Sequence, residues 1–461
     1  MEHRRTARRR VVGGLVVPAA LVAAGLGAAP WASAQPQAEQ YFVAPDGDDA
    51  AAGDRTHPWA TIARAQESAE PGDTVFLRGG TYAYDDAVRE CTSQTDQVEG
   101  VTLTTSGTAD APITYAAYLK EEPVLDFSGI LDDCRIKGIS VLADHLVLRG
   151  LEVTGVRQNN SLNNESWGIW VDGSDNVFDR LDVHHNMGAG LFIQDGAGNV
   201  VRNSDAHDNY DPYSKTGAGQ NADGFGSHTN TPSDKVNLFE GNRAWNNADD
   251  GFDFISSSSP VEVTRSWAWH NGYVYGTDEL AASGNGTGFK MGGYGGKYDP
   301  NPVDVTVSFS VAFDNTLRGF YANHHPKATE VYNNTAFDNG TNYNMRGVNE
   351  DGTPASFGIM RNNVAFGDGG FEYMDGVDSA SNSWDLGLEL TADDFLSVSH
   401  DGWDAPRQGN GDLPELPNAR PAAGSALIDR GAELGFDHDG AAPDLGAFER
   451  GPGRDGYLTG R

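Results

Sequence analysis

The sequence predicts an all-β protein built as a parallel β-helix. Three observations lead to this expectation: a composition rich in turn-forming residues, a hexapeptide that recurs along the chain, and apolar residues that alternate before it. The chain has 461 residues, of which 58 are glycines, and only 38% of all residues are hydrophobic. Because Gly, Asn and Asp supply turn geometry, this composition favours short strands separated by turns over long helices.

The recurring hexapeptide has Ala or Val at its third position and Asn or Asp at its sixth. The third positions of its seven copies are Val183, Ala206, Ala244, Ala268, Ala312, Ala336 and Ala365. Successive third positions are 23, 38, 24, 44, 24 and 29 residues apart. Steps of 23 or 24 residues fit one coil of a parallel β-helix. The longer steps are either coils that carry an inserted loop or pairs of coils in which one coil has lost the motif.

Apolar residues alternate before several of these motifs, for example at Val261 and Val263, which is the pattern of a strand. We expect the final Asn of each motif to stack on the Asn of the next coil. Such a ladder pairs the side-chain amides and tolerates a left-handed turn backbone at each corner. A β-sandwich, the alternative for an all-β chain, does not explain a recurring hexapeptide.

Residues 1–34 are predicted to be a signal peptide. The chain starts with several arginines, continues with an apolar run over residues 11–30, and then has Ala-Ser-Ala at residues 32–34, a small-residue cleavage site. The consecutive arginines suggest twin-arginine export, although ordinary secretion is nearly as compatible. A membrane anchor is the alternative, but the Gly- and Ala-rich run makes a poor spanning helix. We therefore expect a secreted, extracellular protein.

Two further regions are predicted. Residues 35–383 are expected to form a helical N-terminal cap and the β-helix that carries catalysis, with an amphipathic helix over residues 61–69 that Pro71 and Gly72 end. A cap covers the core and the strand edges that the end of a solenoid would otherwise expose. Residues 384–461 lose the repeat and are predicted to be an irregular C-terminal cap.

The net charge limits the classes of partner, and the two cysteines predict one covalent link. The net charge of −34 has the wrong sign for a nucleic-acid-binding protein, but it suits a protein that binds divalent cations. The two cysteines, Cys91 and Cys134, are expected to form one disulfide in a secreted protein. Two free buried thiols are the alternative, and the spacing fits no thiolate metal site.

Residues 221–293 concentrate the candidate chemistry. Asp249, Asp250 and Asp253 bring three carboxylates into five residues, which is costly unless something positive neutralises them. Asp223 lies 26 residues before Asp249, close to one coil, so stacked coils would place these side chains together. With the carbonyl of Gly251, they would offer the oxygen ligands that Ca²⁺ prefers. The alternative is that these aspartates form turns on a solvated edge.

Lys290 follows in the sequence GTGFKMGG, where flanking glycines allow the backbone to approach a ligand closely. A lysine that acts as a base needs a pKa lowered by burial or by nearby positive charge, which a neighbouring calcium ion would supply. The alternative is a surface lysine in a flexible loop.

Several segments together resemble polysaccharide lyase family 9, the right-handed parallel β-helix pectate lyases. The cap-like segments at residues 58–62, 71–75 and 79–82 resemble the N-terminal caps of secreted right-handed β-helix proteins, and the specific matches are Asn221–Phe225, Ala248–Asp253 and Gly288–Lys290. The resemblance implies that Ca²⁺ is held by a set of four carboxylates and one carbonyl, with Lys290 as the Brønsted base. The implied ligands are Asp223, Asp249, Asp250, Asp253 and the Gly251 carbonyl.

The function that we expect is a secreted, calcium-dependent pectate lyase that cleaves polygalacturonate by β-elimination. Arg318 and His324 are the candidate substrate-binding residues, since Arg318 follows the lysine by about one coil and His324 is close to Arg318 in the sequence. We expect a monomer whose partner is pectate, an acidic plant cell-wall polysaccharide, with no nucleic-acid or membrane partner. The alternatives are a lyase on rhamnogalacturonan or another uronan, a non-catalytic cell-wall-binding protein, and a glycoside hydrolase, which would need two carboxylates at a set separation.

Overall fold

The chain winds through successive coils, most of which contribute one strand to each of three parallel sheets. The computed structural model describes residues 38–85, 91, 96–132, 134–158, 165–214 and 217–450; the predicted signal peptide lies outside these ranges. Within a coil the chain passes from sheet A to sheet C and then to sheet B, as the strand order shows. This arrangement is the predicted parallel β-helix.

The strands are numbered in chain order. Sheet A contains β1 (Gln40–Val43), β2 (Thr74–Leu77), β5 (Ile113–Ala117), β8 (Leu146–Arg149), β11 (Val177–Asp179), β14 (Val200–Arg202), β17 (Asn237–Glu240), β20 (Val261–Thr264), β23 (Val305–Ser308), β26 (Glu330–Tyr332), β31 (Ile359–Arg361) and β34 (Asp378–Ala380). Sheet B contains β4 (Gln97–Leu103), β7 (Arg135–Val141), β10 (Trp167–Val171), β13 (Ala189–Ile193), β16 (Phe225–Ser227), β19 (Phe252–Asp253), β22 (Thr287–Lys290), β25 (Arg318–Tyr321), β28 (Thr341–Asn344) and β33 (Gly370–Glu372). Sheet C contains β3 (Gly80–Ala83), β6 (Pro123–Asp126), β9 (Glu152–Thr154), β12 (Asp182–His184), β15 (Asp205–His207), β18 (Arg243–Trp245), β21 (Trp267–Trp269), β24 (Val311–Phe313), β27 (Thr335–Phe337) and β32 (Val364–Phe366).

Three smaller elements complete the described chain. Strands β29 (Arg346–Val348) and β30 (Pro354–Ser356) form an antiparallel hairpin, and a 3₁₀ turn covers Ala392–Asp394. Helix α1 (Ile62–Gln66) lies near the N-terminal end, where the Thr61 side chain caps it by accepting a hydrogen bond from Arg64 N–H. This helix is shorter than the nine residues predicted, because residues 67–69 continue as a turn in which the N–H groups of Ser68 and Ala69 both reach the Ala65 carbonyl.

The recurring hexapeptide sets the register of sheet C. Its third positions pair in sequence from Val183 to Ala365, each opposite the third position of the next motif. The steps of 38 and 44 residues are therefore single coils that carry inserted loops. The other possibility, two coils of which one has lost the motif, is wrong.

The predicted asparagine ladder runs along the corner between sheets C and B. Side-chain amides donate to the Oδ1 of the next coil's asparagine at distances of 3.1, 2.8, 3.1, 2.9 and 2.8 Å, through Asn186, Asn209, Asn247, Asn271, Asn315 and Asn339. The residue before each asparagine has φ between 51° and 54°, the left-handed turn that the corner requires. The sixth residue of the last motif, Asp368, is exposed, and Asn342 accepts the final amide at 3.0 Å.

Aromatic rings stack inside sheet B. Phe225, Phe252, Phe289, Phe320 and Tyr343 are fully buried, with successive centroids 5.3, 4.8, 4.9 and 5.1 Å apart. Because side chains alternate across a strand, the residues that follow these rings point to the outer face of the sheet. The stack therefore fixes the spacing of the outer row that carries the candidate site.

The C-terminal segment, residues 384–450, is irregular and makes two kinds of contact. Trp384 packs against Tyr343 and Phe371 at the last coil, with centroids 5.2 and 4.8 Å away. Trp403 packs on the outer face of sheet C, 4.7 Å from Trp267 and 4.8 Å from Phe313. The segment thus covers the side of the solenoid as well as its last coil, and the boundary at residue 384 stays a prediction.

Cys91 and Cys134 are joined in a disulfide with Cα atoms 5.3 Å apart, so the alternative of two free thiols is wrong. Among the described residues, no helix is both long and apolar enough to cross a membrane.

We predict that Asn271→Ala lowers the free energy of unfolding by about 2 kcal/mol or more. Its Oδ1 accepts from the backbone N–H and from Nδ2 of Asn247, both at 3.1 Å, and its Nδ2 donates to Ala244 O at 3.2 Å. The substitution leaves these buried groups unpaired. Denaturant unfolding measures the loss, and Asp368→Ala, at the same motif position but exposed, should change stability by less than about 0.5 kcal/mol. Equal effects of the two substitutions would contradict the role of the ladder.

Candidate active site

The outer row of sheet B brings the candidate residues together. Asp253 pairs in register with Lys290, and Gly226 pairs with Asp253. Asp223 and Asp250 lie just before β16 and β19, at the point where the chain enters the sheet. Residues that are far apart in the sequence therefore become neighbours because consecutive coils stack strand on strand.

Lys290 forms ion pairs with two of the carboxylates. Its Nζ lies 2.9 Å from Asp250 Oδ2 and 2.8 Å from Asp253 Oδ2. One carboxylate oxygen of each of Asp223, Asp250 and Asp253 lies within 4.8 Å of the others. All four side chains are buried, Lys290 the least so at 9% exposure. The alternatives of solvated turn aspartates and of a surface lysine are therefore wrong.

Asp249 and Gly251 lie beside this group, and each has one oxygen atom that already accepts a hydrogen bond. Asp249 is buried, and its Oδ1 accepts a hydrogen bond from Asn285 N–H at 2.5 Å. The Gly251 carbonyl accepts the N–H of Phe225 at 3.0 Å as part of the sheet. A Cβ at residue 251 would lie 2.8 Å from the Gly288 carbonyl oxygen, so only glycine fits there. Their part in metal binding stays a prediction.

Burial raises the pKa of Asp250, and it raises the pKa values of Asp223 and Asp249 well above their ordinary range. For Asp223, loss of solvent raises the pKa well above its ordinary value, and the charges of Asp253 and Asp250 raise it further. For Asp249, burial again acts first, and the charges of Asp250 and Asp223 add to it. In the absence of a cation, these two groups are therefore held in their folded positions against mutual repulsion.

The lysine has the opposite effect on Asp253. Burial acts to raise the pKa of Asp253, but the Lys290 ammonium and the nearby His228 outweigh it, so the pKa is lowered. His228 Nε2 lies 3.6 Å from Asp253 Oδ1, an ion-pair distance. Burial acts to lower the pKa of Lys290, but the four carboxylates, Asp250 and Asp253 first, raise it well above its ordinary value.

The donor set fits a hard divalent cation. Four buried carboxylates face one ammonium, so the group carries an excess of negative charge that burial makes costly. Oxygen atoms are the ligands that Ca²⁺ takes, in flexible geometry. Asp223, Asp250 and Asp253 already converge, which suits them to hold such an ion.

The same outer row has different chemistry on the two sides of the carboxylates. On one side, Trp170 pairs with Phe192, and Phe192 pairs with Gly226, where a Cβ would lie 2.0 Å from the Phe192 ring. On the other side, Lys290 pairs with Tyr321. The row thus passes from aromatic side chains, through the carboxylates, to the lysine.

Arg318 and His324, the predicted substrate-binding residues, lie around Tyr321. The Arg318 guanidinium lies 4.2 Å from the centre of the Tyr321 ring, and the Tyr321 hydroxyl lies 3.3 Å from His324 Nδ1. The sequence interpretation missed Arg346, whose charge acts with that of Arg318 on both Tyr321 and His324. Its buried Nε has no hydrogen-bond partner among the described residues. A weak signal was present, because Arg346-Gly347 repeats the Arg318-Gly319 pair.

Comparison with known proteins identifies the family. A family described as "Pel9A-like, right handed beta helix region" matches residues 41–363. The chain belongs to this family, polysaccharide lyase family 9. Pectate lyase L of Dickeya chrysanthemi is 36% identical over 420 residues, covering 89% of this chain and 90% of that protein. Pectate lyase L of Paenibacillus polymyxa is 31% identical over 389 residues, covering 79% of this chain and 78% of that protein.

Two solved structures share the fold closely. The crystal structure of pectate lyase Pel9A has 35% identity and a TM-score of 0.76, covering 90% of this chain and 96% of that chain. A rhamnogalacturonan lyase has 32% identity and a TM-score of 0.76, covering 83% of this chain and 96% of that chain. The protein is therefore a polysaccharide lyase with a right-handed parallel β-helix, as expected.

We predict that Asp223→Asn raises the melting temperature of the metal-free protein at neutral pH by about 1–3 °C. Because the folded protein raises the pKa of Asp223, ionisation of this group costs stability once the pH rises above the ordinary pKa of an aspartate. The neutral amide removes that cost, and its oxygen can still accept the Asp250 N–H, now 3.1 Å away.

The matched control is Asp253→Asn. Because the folded protein lowers the pKa of Asp253, its ionised form contributes stability at every pH above the ordinary pKa of an aspartate. That stability is lost as the pH falls through the lowered pKa. Removing that charge should lower the melting temperature. Both variants are measured in one buffer that contains a chelator, at one scan rate. Shifts of the same sign in both variants would contradict the charge balance described here.

Proposed function

We propose that this lyase is a secreted, calcium-dependent pectate lyase that cleaves polygalacturonate by β-elimination, with Lys290 as the base. The observation that carries the proposal is the outer row of sheet B, where Lys290 lies against buried carboxylates on one side and near two arginines on the other. The pectate lyase names of the relatives support the choice of polymer. The arginine-rich and apolar start of the sequence supports secretion.

Asp223, Asp250 and Asp253 would hold the calcium ion, with Asp249 and the Gly251 carbonyl as the further predicted ligands. When bound, calcium supplies positive charge that neutralises a substrate carboxylate and stabilises the negative charge that develops beside it. The negative charge of the four carboxylates raises the pKa of Lys290. A cation held by these carboxylates would offset that charge and so favour the neutral amine that a base requires.

The Nζ atom of Lys290 would remove the proton at C5 of a galacturonate. This proton lies α to a carboxylate and is hard to remove unless the carboxylate charge is neutralised. Lys290 keeps the C5 proton as an ammonium group, and the electron pair forms the C4–C5 double bond. The glycosidic oxygen leaves C4 with its bonding electrons and takes up a proton from solvent water. Burial of Lys290 excludes water that would compete for the amine. The product carries an unsaturated uronate at its new end.

Arg318, Arg346 and His324 would bind substrate on the lysine side of the row. Neither arginine has an acidic partner within the described part of the chain, so both guanidinium groups are free to pair with uronate carboxylates. The ring of Tyr321 holds Arg318 in place at 4.2 Å. This positive side complements a polyanion in a protein whose net charge is −34.

A second candidate substrate is rhamnogalacturonan. The solved rhamnogalacturonan lyase has the same TM-score, 0.76, as the pectate lyase structure, so the fold alone does not separate the two polymers. Comparing unsaturated-product formation on polygalacturonate, rhamnogalacturonan and alginate decides between them. A non-catalytic wall-binding protein would form no product on any of these. The expectations of a monomer without nucleic-acid or membrane partners stay predictions.

We predict that Lys290→Ala reduces kcat on polygalacturonate by about 10²–10⁴-fold, because the substrate loses its proton acceptor. The rate of ultraviolet absorbance by unsaturated ends measures the loss. Lys297→Ala, an exposed lysine seven residues further on, is the matched control and should retain full activity. If Lys290→Ala keeps wild-type activity, the assignment of the base is wrong.

We predict that Arg346→Gln lowers kcat/KM on polygalacturonate by about tenfold or more, since a charged hydrogen bond to substrate is worth about 1.5–3 kcal/mol. Arg361→Gln is the control: this guanidinium is on sheet A and is already paired with Asp378 at 2.8 Å. Steady-state kinetics on one polymer preparation provide the comparison. An unchanged kcat/KM in Arg346→Gln would exclude substrate contact by this residue.

A further inference from the structure

A cluster of arginines lies on sheet A, on a different sheet from the catalytic row. Arg149, Asp179 and Arg202 are the last residues of β8, β11 and β14 and lie opposite one another in register. Arg180 follows β11 and has a left-handed backbone, with φ of 55°. A cavity of about 510 Å³ opens over these side chains, and its far wall is built by Asp412 and its neighbours in the C-terminal segment.

Three guanidinium groups share the single carboxylate of Asp179. The Nε atoms of Arg149, Arg202 and Arg180 lie 2.9, 3.3 and 3.6 Å from its oxygens. The carboxylate is buried, with its side chain 6% exposed, whereas the three arginine side chains are 39–41% exposed. The excess of positive charge is therefore on the solvent side.

All three arginines approach Asp179 through Nε, and their Nη atoms make no hydrogen bond within the described ranges. Alternating charges on neighbouring strands stabilise a sheet, which accounts for Arg149 and Arg202. That role does not account for Arg180, which lies outside the strand, nor for the unpaired Nη groups of all three. These groups form the planar fork that binds a carboxylate through two hydrogen bonds.

The other charges around the cavity leave this excess in place. Arg265 is paired with Glu240. Asp412 on the rim accepts a hydrogen bond from Asn410 Nδ2 at 2.5 Å. The lining therefore has four arginines and three carboxylates, an excess of one positive charge, in a chain whose net charge is −34. A local positive site in such an acidic chain favours a small anion, or a short segment of a polymeric anion, that fits within the site.

We propose that this arginine cavity, lined by Arg149, Arg180 and Arg202, is an accessory binding site for uronate carboxylates of the polymer. Its volume suits one or two sugar residues, and β8 and β14 are two strands apart, about 10 Å. Two arginines at that spacing can engage successive carboxylates of one chain. The site would hold a distant segment of the polymer and raise its local concentration at the catalytic row. The choice of a uronan as ligand rests on the proposed function.

The test is the double variant Arg180→Gln/Arg202→Gln. It keeps the 2.9 Å ion pair of Arg149 with Asp179, so the buried carboxylate still has a cationic partner. We expect KM for long polygalacturonate to rise about three- to tenfold at low salt, with kcat and the KM for short oligogalacturonates unchanged. In about 1 M NaCl, where the Debye length is about 3 Å, the difference should vanish. Arg361→Gln is the matched control on sheet A.

An unchanged KM for the long polymer overturns the proposal, and so does an equal rise in KM for short oligomers, which would place the effect at the catalytic row or in the fold. A melting temperature within about 2 °C of wild type shows that the double variant is folded.

Binding without turnover separates this inference from the proposed function. Affinity electrophoresis in polygalacturonate gels with chelator should retard the wild type and Arg361→Gln more than the double variant, even if no unsaturated product forms on any uronan. Titration with inorganic phosphate gives the remaining arm. If the wild type binds phosphate but its retardation in the gel equals that of the double variant, the cavity is a simple anion site and the uronate assignment is wrong.

Discussion

The in-register stacking of coils is the constraint on which the other features depend. Hydrogen bonds join Asp250 to Asp223 across 27 residues, and Lys290 to Asp253 and Asp250 across 37 and 40 residues. These contacts exist because the asparagine ladder and the phenylalanine stack hold neighbouring strands at one spacing, close to 4.8 Å. A slip of one residue would turn Asp253 and Lys290 into the core and bring Phe252 and Phe289 to the surface.

This stiffness explains how a cluster of like charges persists in a buried place. The carboxylates of Asp223 and Asp249 repel their neighbours, and burial makes that repulsion stronger than it would be in water. In a flexible loop such groups would move apart. Here each is attached to the start of a sheet strand, so separating them would require breaking hydrogen bonds between coils. The cost is offset by the favourable contacts of many stacked coils, since a solenoid sums its nearest-neighbour terms.

The parts of the fold that could be predicted from the sequence are those encoded within one coil. Ala244 and Asn247 occur at fixed positions of a local motif, so their stacking followed from the spacing alone. The meeting of Asp223 with Asp250 followed from the same coil length, supported by the resemblance. Asp368 shows the limit of the pattern: it completes a motif, but no further motif-bearing coil follows against which it could stack, and it is exposed.

The features that the sequence did not reveal depend on loops and on the return path of the chain. Asn285 reaches Asp249 from an inserted loop whose course no repeat specifies. Arg346 joins Arg318 only because a hairpin begins at the end of β28, and the C-terminal segment lies along sheet C because Trp267 and Phe313 present an apolar surface there. Such contacts arise from tertiary packing between elements with unrelated sequence patterns, so residue periodicity carries no information about them.

The distribution of charge, rather than its sum, decides how this protein can meet an acidic polymer. At physiological ionic strength the Debye length is about 8 Å, so a substrate carboxylate responds mainly to charges within one or two strands of it. The net charge of −34 is therefore largely screened at any one point of the surface. Cationic side chains outnumber acidic ones at two places on the surface. One is beside the lysine, at Arg318 and Arg346, and the other is on sheet A, at Arg149, Arg180 and Arg202. Under the proposed function, a polyuronate would then be attracted at these points and repelled between them, which favours segmental binding over adsorption along the whole surface.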